Sequence, residues 1–120
     1  MSKGQKLYAG KKLISSNIIY CDNLWRKGTG LMLKTKDSVN DSAWWFRLKR
    51  FDKVSVTMFM VFFPIDILFL DEKNRVVEMV ESLKPFSHYT SKLKVKSFIE
   101  LENGSIRKFG ITNKSLIHSK

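Results

Sequence analysis

The stretch MFMVFFPIDILFLD, residues 58–71, is the most apolar in the chain, yet it carries a carboxylate, Asp66, two residues after Pro64. Around it, residues 54–70 contain no basic side chain and fall only slightly short of the roughly 20 residues that span a bilayer. A membrane helix is nevertheless a poor reading. Pro64 would break it, Asp66 would be costly in lipid, and Phe, Val and Ile dominate where helix formers belong. The segment is read instead as two buried strands that meet at a proline bend.

Val54, Val56 and Met58 alternate with Ser55 and Thr57, and from 59 to 63 both faces turn apolar, as in a strand covered on both sides. After Pro64, Ile65–Leu70 forms a second strand, DEKN a turn, and 75–81 a third strand, which makes an antiparallel hairpin. Pairing Leu70 with Arg75 sets Asp66 opposite Met79; a slip of one residue reverses the faces.

Towards the C-terminus, KVKSFIELENGSIRKFGI ends a strand at FIEL. Asn103-Gly104 by itself suggests a hairpin, but Ser105 as N-cap, Ile106 and Phe109 on one face and Gly110 at C′ fit a single helical turn. Towards the N-terminus, SAWWFRLKRFDK alternates: Trp44, Phe46 and Leu48 share one face, which belongs to a core, while Trp45, Arg47, Lys49, Phe51 and Lys53 share the other. DNLWRKGTG reads as a helix of about two turns, with Asp22 as N-cap and Gly28 and Gly30 as stops. KKLISSNIIYCD reads as a strand broken at 15–17. Residues 1–10 are polar and basic and are expected to be a mobile arm; residues 11–120 are expected to form one domain.

At 120 residues, with 43% apolar and 12% aromatic side chains, the chain has material for one core. The single cysteine, Cys21, cannot form an internal disulfide, and no apolar leader precedes it, so cytoplasm is the simplest location. The formal net charge of +11 is uneven: residues 1–53 hold 12 basic and 4 acidic side chains, residues 54–120 hold 10 and 7. Such a balance favours polyanionic partners, nucleic acid or an acidic membrane surface.

Four stretches, in order, resemble the family called domain of unknown function 192. GLMLK from Gly30 resembles its Gly-Leu-Met motif and AWWF the apolar strand that follows. VTMFMVFFPIDILFLD resembles its Met-bearing strand with the Pro-hydrophobic-Asp signature, and FIELENGSIRKFGI its Glu-Leu, Gly and short-helix ending. Pro64, Ile65 and Asp66 are the most specific match. Two departures stand out: Met58, Phe59, Met60 and Val61 occupy the place of a Met-Lys-Asn-Thr stretch, and Lys114 and Ser115 that of a closing Gly-Asp pair. The resemblance implies a mainly β, mostly antiparallel, β-barrel-like domain with one or two short helices, and it implies no established activity.

Two places are candidates for function. Asp66 must be paired, hydrogen-bonded or neutralised within its apolar strand. Backbone N–H groups at the Pro64 bend, a cation such as Arg75 or Lys53, or a ligand are the available solutions. The ligand reading groups Asp66 with Met58, Met32 and Arg75 in a small-molecule or catalytic pocket. The face formed by Trp45, Arg47, Lys49, Phe51 and Lys53 has aromatic planes for stacking bases and cations for phosphate, as single-stranded nucleic-acid surfaces do. The alternative is a solvated strand face with Trp45 and Phe51 tucked under a loop.

No catalytic set emerges. His88 and His118 lack metal-ligand spacing, and GQKLYAGKK has one residue too many between its glycines for a phosphate loop, with Lys12 where Ser or Thr is needed. Glu78, Glu81, Glu100 and Glu102 show no spacing of a catalytic couple, and a solvated strand face is the expectation for most of them. No metal or prosthetic group is expected, and no reaction is predicted. The leading expectation is a small basic binding module for a polyanion, ahead of a pocket at Asp66 and of a protein-interaction domain.

Overall fold

The computed structural model describes residues 5–21, 41–59 and 61–120, and among these the regular structure consists of ten strands and one helical turn. The strands are β1 (Leu7–Ala9), β2 (Lys12–Ser15), β3 (Asn17–Cys21), β4 (Ser42–Asp52), β5 (Ser55–Thr57), β6 (Ile65–Leu70), β7 (Val76–Leu83), β8 (His88–Thr90), β9 (Val95–Glu102) and β10 (Ile117–Ser119), with α1 (Ser105–Phe109) between the last two. A five-stranded sheet of order β3-β4-β9-β6-β7 is flanked by a three-stranded sheet, β10-β1-β2, and a two-stranded one, β5-β8. The fold is mainly β, as expected. Only the β3–β4 pair within it is parallel among the described strands, and the sheets do not close into a barrel.

The pleat of β6 explains why its sequence is apolar on both faces. All six of its residues are buried. Leu68 and Leu70 enter one cluster with Trp45, Ile99, Ile106 and Ile117, while Ile65, Ile67 and Phe69 enter the other with Phe46, Phe98 and Met58. Successive side chains of a strand point to opposite faces, and here each face is roofed by its own small sheet. Phe46 and Phe98 stack at 4.8 Å between ring centroids in the second cluster. Full burial of one such side chain contributes about 2 kcal/mol or more.

Four expectations need correction. The described residues among 58–63 are not a strand: β5 ends at Thr57, and the Met58 carbonyl accepts from Phe86 N–H at 2.9 Å and Val61 N–H at 3.1 Å, which turns the chain. Met58, Val61 and Phe63 are buried, but Phe59 and Phe62 are 59% and 57% exposed. The hairpin register also differs, since Leu70 pairs with Val76 and Leu68 with Met79. The cause lies in the turn. Asp71 Oδ1 accepts the N–H groups of Lys73 and Arg75 at 2.8 and 2.9 Å, which holds Arg75 outside the ladder.

Leu7–Ala9, inside the stretch expected to be an arm, is the central strand of the three-stranded sheet, with Leu7 fully buried. Ser105 is the first residue of α1 rather than its cap: Gly104 takes the cap position in the left-handed region with no side-chain cap bond, and the Ser105 hydroxyl donates to Glu102 O at 2.6 Å.

Other expectations hold. The strand break at 15–17 separates β2 from β3, and Ser15 Oγ there donates to Asp41 O at 2.7 Å. Strand β9 runs into a single helical turn that stops at Gly110, φ 62°. The helix expected from Asp22 lies outside the described residues.

Candidate functional site

Asp66 is completely buried, and both of its carboxylate oxygens are occupied. Ser82 N–H donates to Oδ1 and Ile106 N–H to Oδ2, each at 2.9 Å. Neither donor belongs to the Pro64 bend. Ser82 lies where β7 departs from regular pairing with β6, its φ positive at 53°, and Ile106 lies in the first turn of α1. The first N–H groups of a helix have no partner within it and are normally satisfied by a local cap side chain. Gly104 has none to offer, so Asp66 supplies the cap from another strand.

Neither described residue grouped with Asp66 is brought to it. Met58 packs in the cluster on the other face of the central sheet, and Arg75 sits beyond the far end of β6, where its side chain donates to Lys114 O at 3.1 Å. Met32 lies outside the described residues. Two hollows of about 460 and 420 Å³ flank Gly104, and Asp66 lines neither. Both mix signs: Lys108 faces Asp41 and Glu102 in one, and Arg107 and Lys108 face Glu81 in the other.

The strand face of β4 divides. Trp45 is only 3% exposed and belongs to the core cluster beneath the three-stranded sheet, so it presents no open stacking plane. Arg47 and Lys49 are exposed, as are Arg50, Phe51 and Lys53. The β4–β9 register shifts between Arg47 and Asp52, which lets this basic segment leave the regular ladder. From the neighbouring strand, Lys96 Nζ donates to Lys49 O at 3.1 Å. The Asp52 carboxylate accepts the adjacent Lys53 N–H, and none of these cations is in an ion pair with a described residue.

Beside this segment is a cleft of about 260 Å³ lined by Trp45, Arg47, Asn74, Lys96 and Ser97. Arg47 stands opposite Ser97 across the β4–β9 pair, with its guanidinium 5.0 Å from the Tyr20 ring centroid and 5.8 Å from that of Trp45. Trp45 Nε1 and Ser97 Oγ are buried and have no hydrogen-bond partner among the described residues. The lining contains no carboxylate.

A profile of the domain of unknown function 192, described as an uncharacterized ACR, matches residues 7–118. The chain belongs to the domain of unknown function 192 family. No curated protein matches it. Among solved structures, it is similar to a protein from Sinorhizobium meliloti 1021 described as a proposed transcription regulator, with a TM-score of 0.83 and 17% identity over 99% of this chain and 96% of that one. It is also similar to a protein of unknown function from Novosphingobium aromaticivorans DSM 12444, with a TM-score of 0.77 and 16% identity over 95% of this chain and 82% of that one. At these identities the likeness is one of fold.

A solvated strand face was expected for most of the four strand acids of this domain of unknown function 192 chain, but Glu100 is buried and Glu78 half-buried. Glu100 is 7% exposed between Trp44 and Ile67 on neighbouring strands, and burial pushes its carboxyl up to about 8. Trp44 Nε1 beside it is another buried donor without a partner among the described residues. Glu78 accepts the N–H groups of Lys92 and Leu93 and the Tyr89 hydroxyl, which holds the β8–β9 connection to β7. That bond, then burial and the Glu78 charge, push Tyr89 up to about 12.

Ser97, Lys96 and Asn74 were not found from sequence. Ser97 had a signal, as the polar member of an otherwise apolar inward row with Ile99 and Leu101. Among the described residues, no group of three His, Cys, Asp or Glu could hold a metal ion, and no helix is long and apolar enough to cross a membrane.

Proposed function

We propose that this protein is a small basic binding module for a polyanion, with single-stranded nucleic acid the polyanion its surface favours. One observation carries the reading. Arg47, Lys49, Arg50 and Lys53 line an exposed segment, with Lys96 beside it, and no carboxylate of a described residue pairs with any of them. Unpaired cations in a row attract phosphates and release their counterions on contact. Phe51, 44% exposed within the row, offers one ring for a base to stack on.

The test is a titration with short single-stranded oligonucleotides at stepped salt concentrations. Affinity should fall steeply as salt rises, and a sulfated glycan of similar charge should bind more weakly than the oligonucleotide. Equal binding of the two would reduce the reading to a general polyanion site. No binding at low ionic strength would end it.

A second reading, a protein-interaction surface, has an observation of its own. Phe59, Phe62 and Phe86 are each more than half exposed, and the last two meet edge to face at 5.1 Å. Large exposed apolar side chains that cluster mark contact surfaces. Self-association in sedimentation runs that Phe62→Ser abolishes would support it; a monomer at all concentrations would count against pairing of like chains.

A further inference from the structure

We infer that the cleft between β4 and β9 is a site for a phosphate monoester, which seats a terminal phosphate group against the unpartnered donors of Trp45 and Ser97. Where that phosphate ends a nucleic-acid strand, the inference rests on the polyanion reading and deepens it.

The argument starts from unmet hydrogen bonds. Buried polar atoms in folded proteins nearly always have partners, and an isolated orphan calls for an explanation. Here two orphans, an indole N–H and a hydroxyl, belong to residues that line one cleft. The indole nitrogen can only donate, and the hydroxyl is free to donate, so the partner that fits both is an acceptor.

The remaining lining has the same polarity. Arg47 and Lys96 bring positive charge, Asn74 has an amide able to donate, and no acid opposes an anion. Lys96 uses one ammonium proton on Lys49 O and keeps two. The Arg47 guanidinium lies within cation–π range of the Tyr20 and Trp45 rings, which keeps it beside the cleft that it lines.

Charge and shape then select the anion. A phosphate monoester carries a charge of about −1.5 to −2 near neutral pH and three free oxygens. Those match two cations and several separate donors. A diester within a strand has one charge, two free oxygens and a sugar on each side. Trp45 and Ser97 are each 3% exposed, so a group at the end of a chain reaches their side of the cleft more readily than one in the middle.

The experiment compares two single strands of identical sequence, one ending in a 5′-phosphate and one in a 5′-hydroxyl, with a 3′-phosphorylated strand as a third arm. At fixed salt, a phosphorylated strand should bind at least tenfold more tightly than the hydroxyl-ended strand, and Ser97→Ala should reduce that ratio to below threefold. Equal affinities, or a ratio unchanged in folded Ser97→Ala, would overturn the inference for strand ends.

If no strand binds at any salt concentration, the polyanion reading fails and inorganic phosphate decides the cleft. Phosphate should then move the Trp45 Nε1–H resonance in a saturable way that Ser97→Ala abolishes. An unmoved resonance would mean that the cleft holds no phosphate.

Discussion

Asp66 Oδ2 lies 2.9 Å from the backbone nitrogen of Ile106, 40 residues further along the chain. With Oδ1 on Ser82 N–H, one carboxylate ties together β6, the irregular end of β7 and the first turn of α1. Two charge-assisted bonds from backbone donors compensate for the burial of the charge. An asparagine keeps one acceptor and turns an N–H₂ group on the other donor. Asp66→Asn should therefore lose about 2 to 4 kcal/mol in urea unfolding, with oligonucleotide affinity unchanged while the chain is folded. A variant of full stability that lost binding would restore the pocket reading.

Glu100 gives stability a pH dependence of known sign. Its folded value of about 8 lies above the ordinary 4.5, so between those values the folded chain keeps a proton that the unfolded chain has given up. Its contribution is fully present below about 4.5 and is lost as pH rises to about 8, on the order of 5 kcal/mol across the window. Unfolding at pH 5, 7 and 9 should show the decline, and Glu100→Gln should flatten it.

Tyr89 should titrate above the ordinary tyrosine value of 10.0 in an absorbance titration, because its proton is held by Glu78. The folded value is raised from 10.0 to about 12, so the stability tied to this proton is present below pH 10 and is lost between 10 and 12. Glu78→Gln should bring Tyr89 down and cost about 1 to 3 kcal/mol, since two N–H groups and the hydroxyl share that carboxylate.

Each cation of the basic segment should carry its own share of the salt dependence. Lys49→Gln and Lys53→Gln should each reduce the slope of log affinity against log salt by about 0.7, without changing thermal stability by more than about 0.5 kcal/mol. Slopes that stay at the parental value would place the nucleic acid elsewhere.

Gly110 ends α1 in the left-handed region at φ 62°, and a methyl group there would meet Lys12 Nζ at 3.4 Å. Gly110→Ala should cost about 1 kcal/mol in thermal unfolding, and Gly110→Asn less, because asparagine tolerates this conformation better.

Much of this structure follows from local chemistry. The alternation in β4, the six-residue strand after Pro64, the break between β2 and β3 and the run of β9 into one helical turn lie where side-chain period and turn residues place them. The candidate site was less legible, and its residues show why. Trp45 and Phe51 stand six positions apart on the same nominal face, but one is 3% and the other 44% exposed. The three-stranded sheet covers only the first part of that face, and its strands come from the two ends of the chain.

Glu100 and Ser97 were missed for the same reason, since a polar residue in a strand reads alike whether its face is solvated or roofed. The apolar 59–63 misled in the opposite sense: β-forming side chains make a strand only where a partner strand is in reach, and here Met58 bonds to the loop at 86–87 while Val61 N–H turns back to Met58 O.

What the sequence determined by itself is the course of β4, β6 and β9, the break between β2 and β3 and the kinship, because pleat, proline and turn chemistry act over a few residues. Which layer covers each face, which backbone donors Asp66 satisfies and which donors are left unpaired beside Arg47 were decided only by tertiary structure. Those depend on segments tens of residues apart meeting in space, and burial and hydrogen-bond satisfaction belong to that meeting rather than to any one segment.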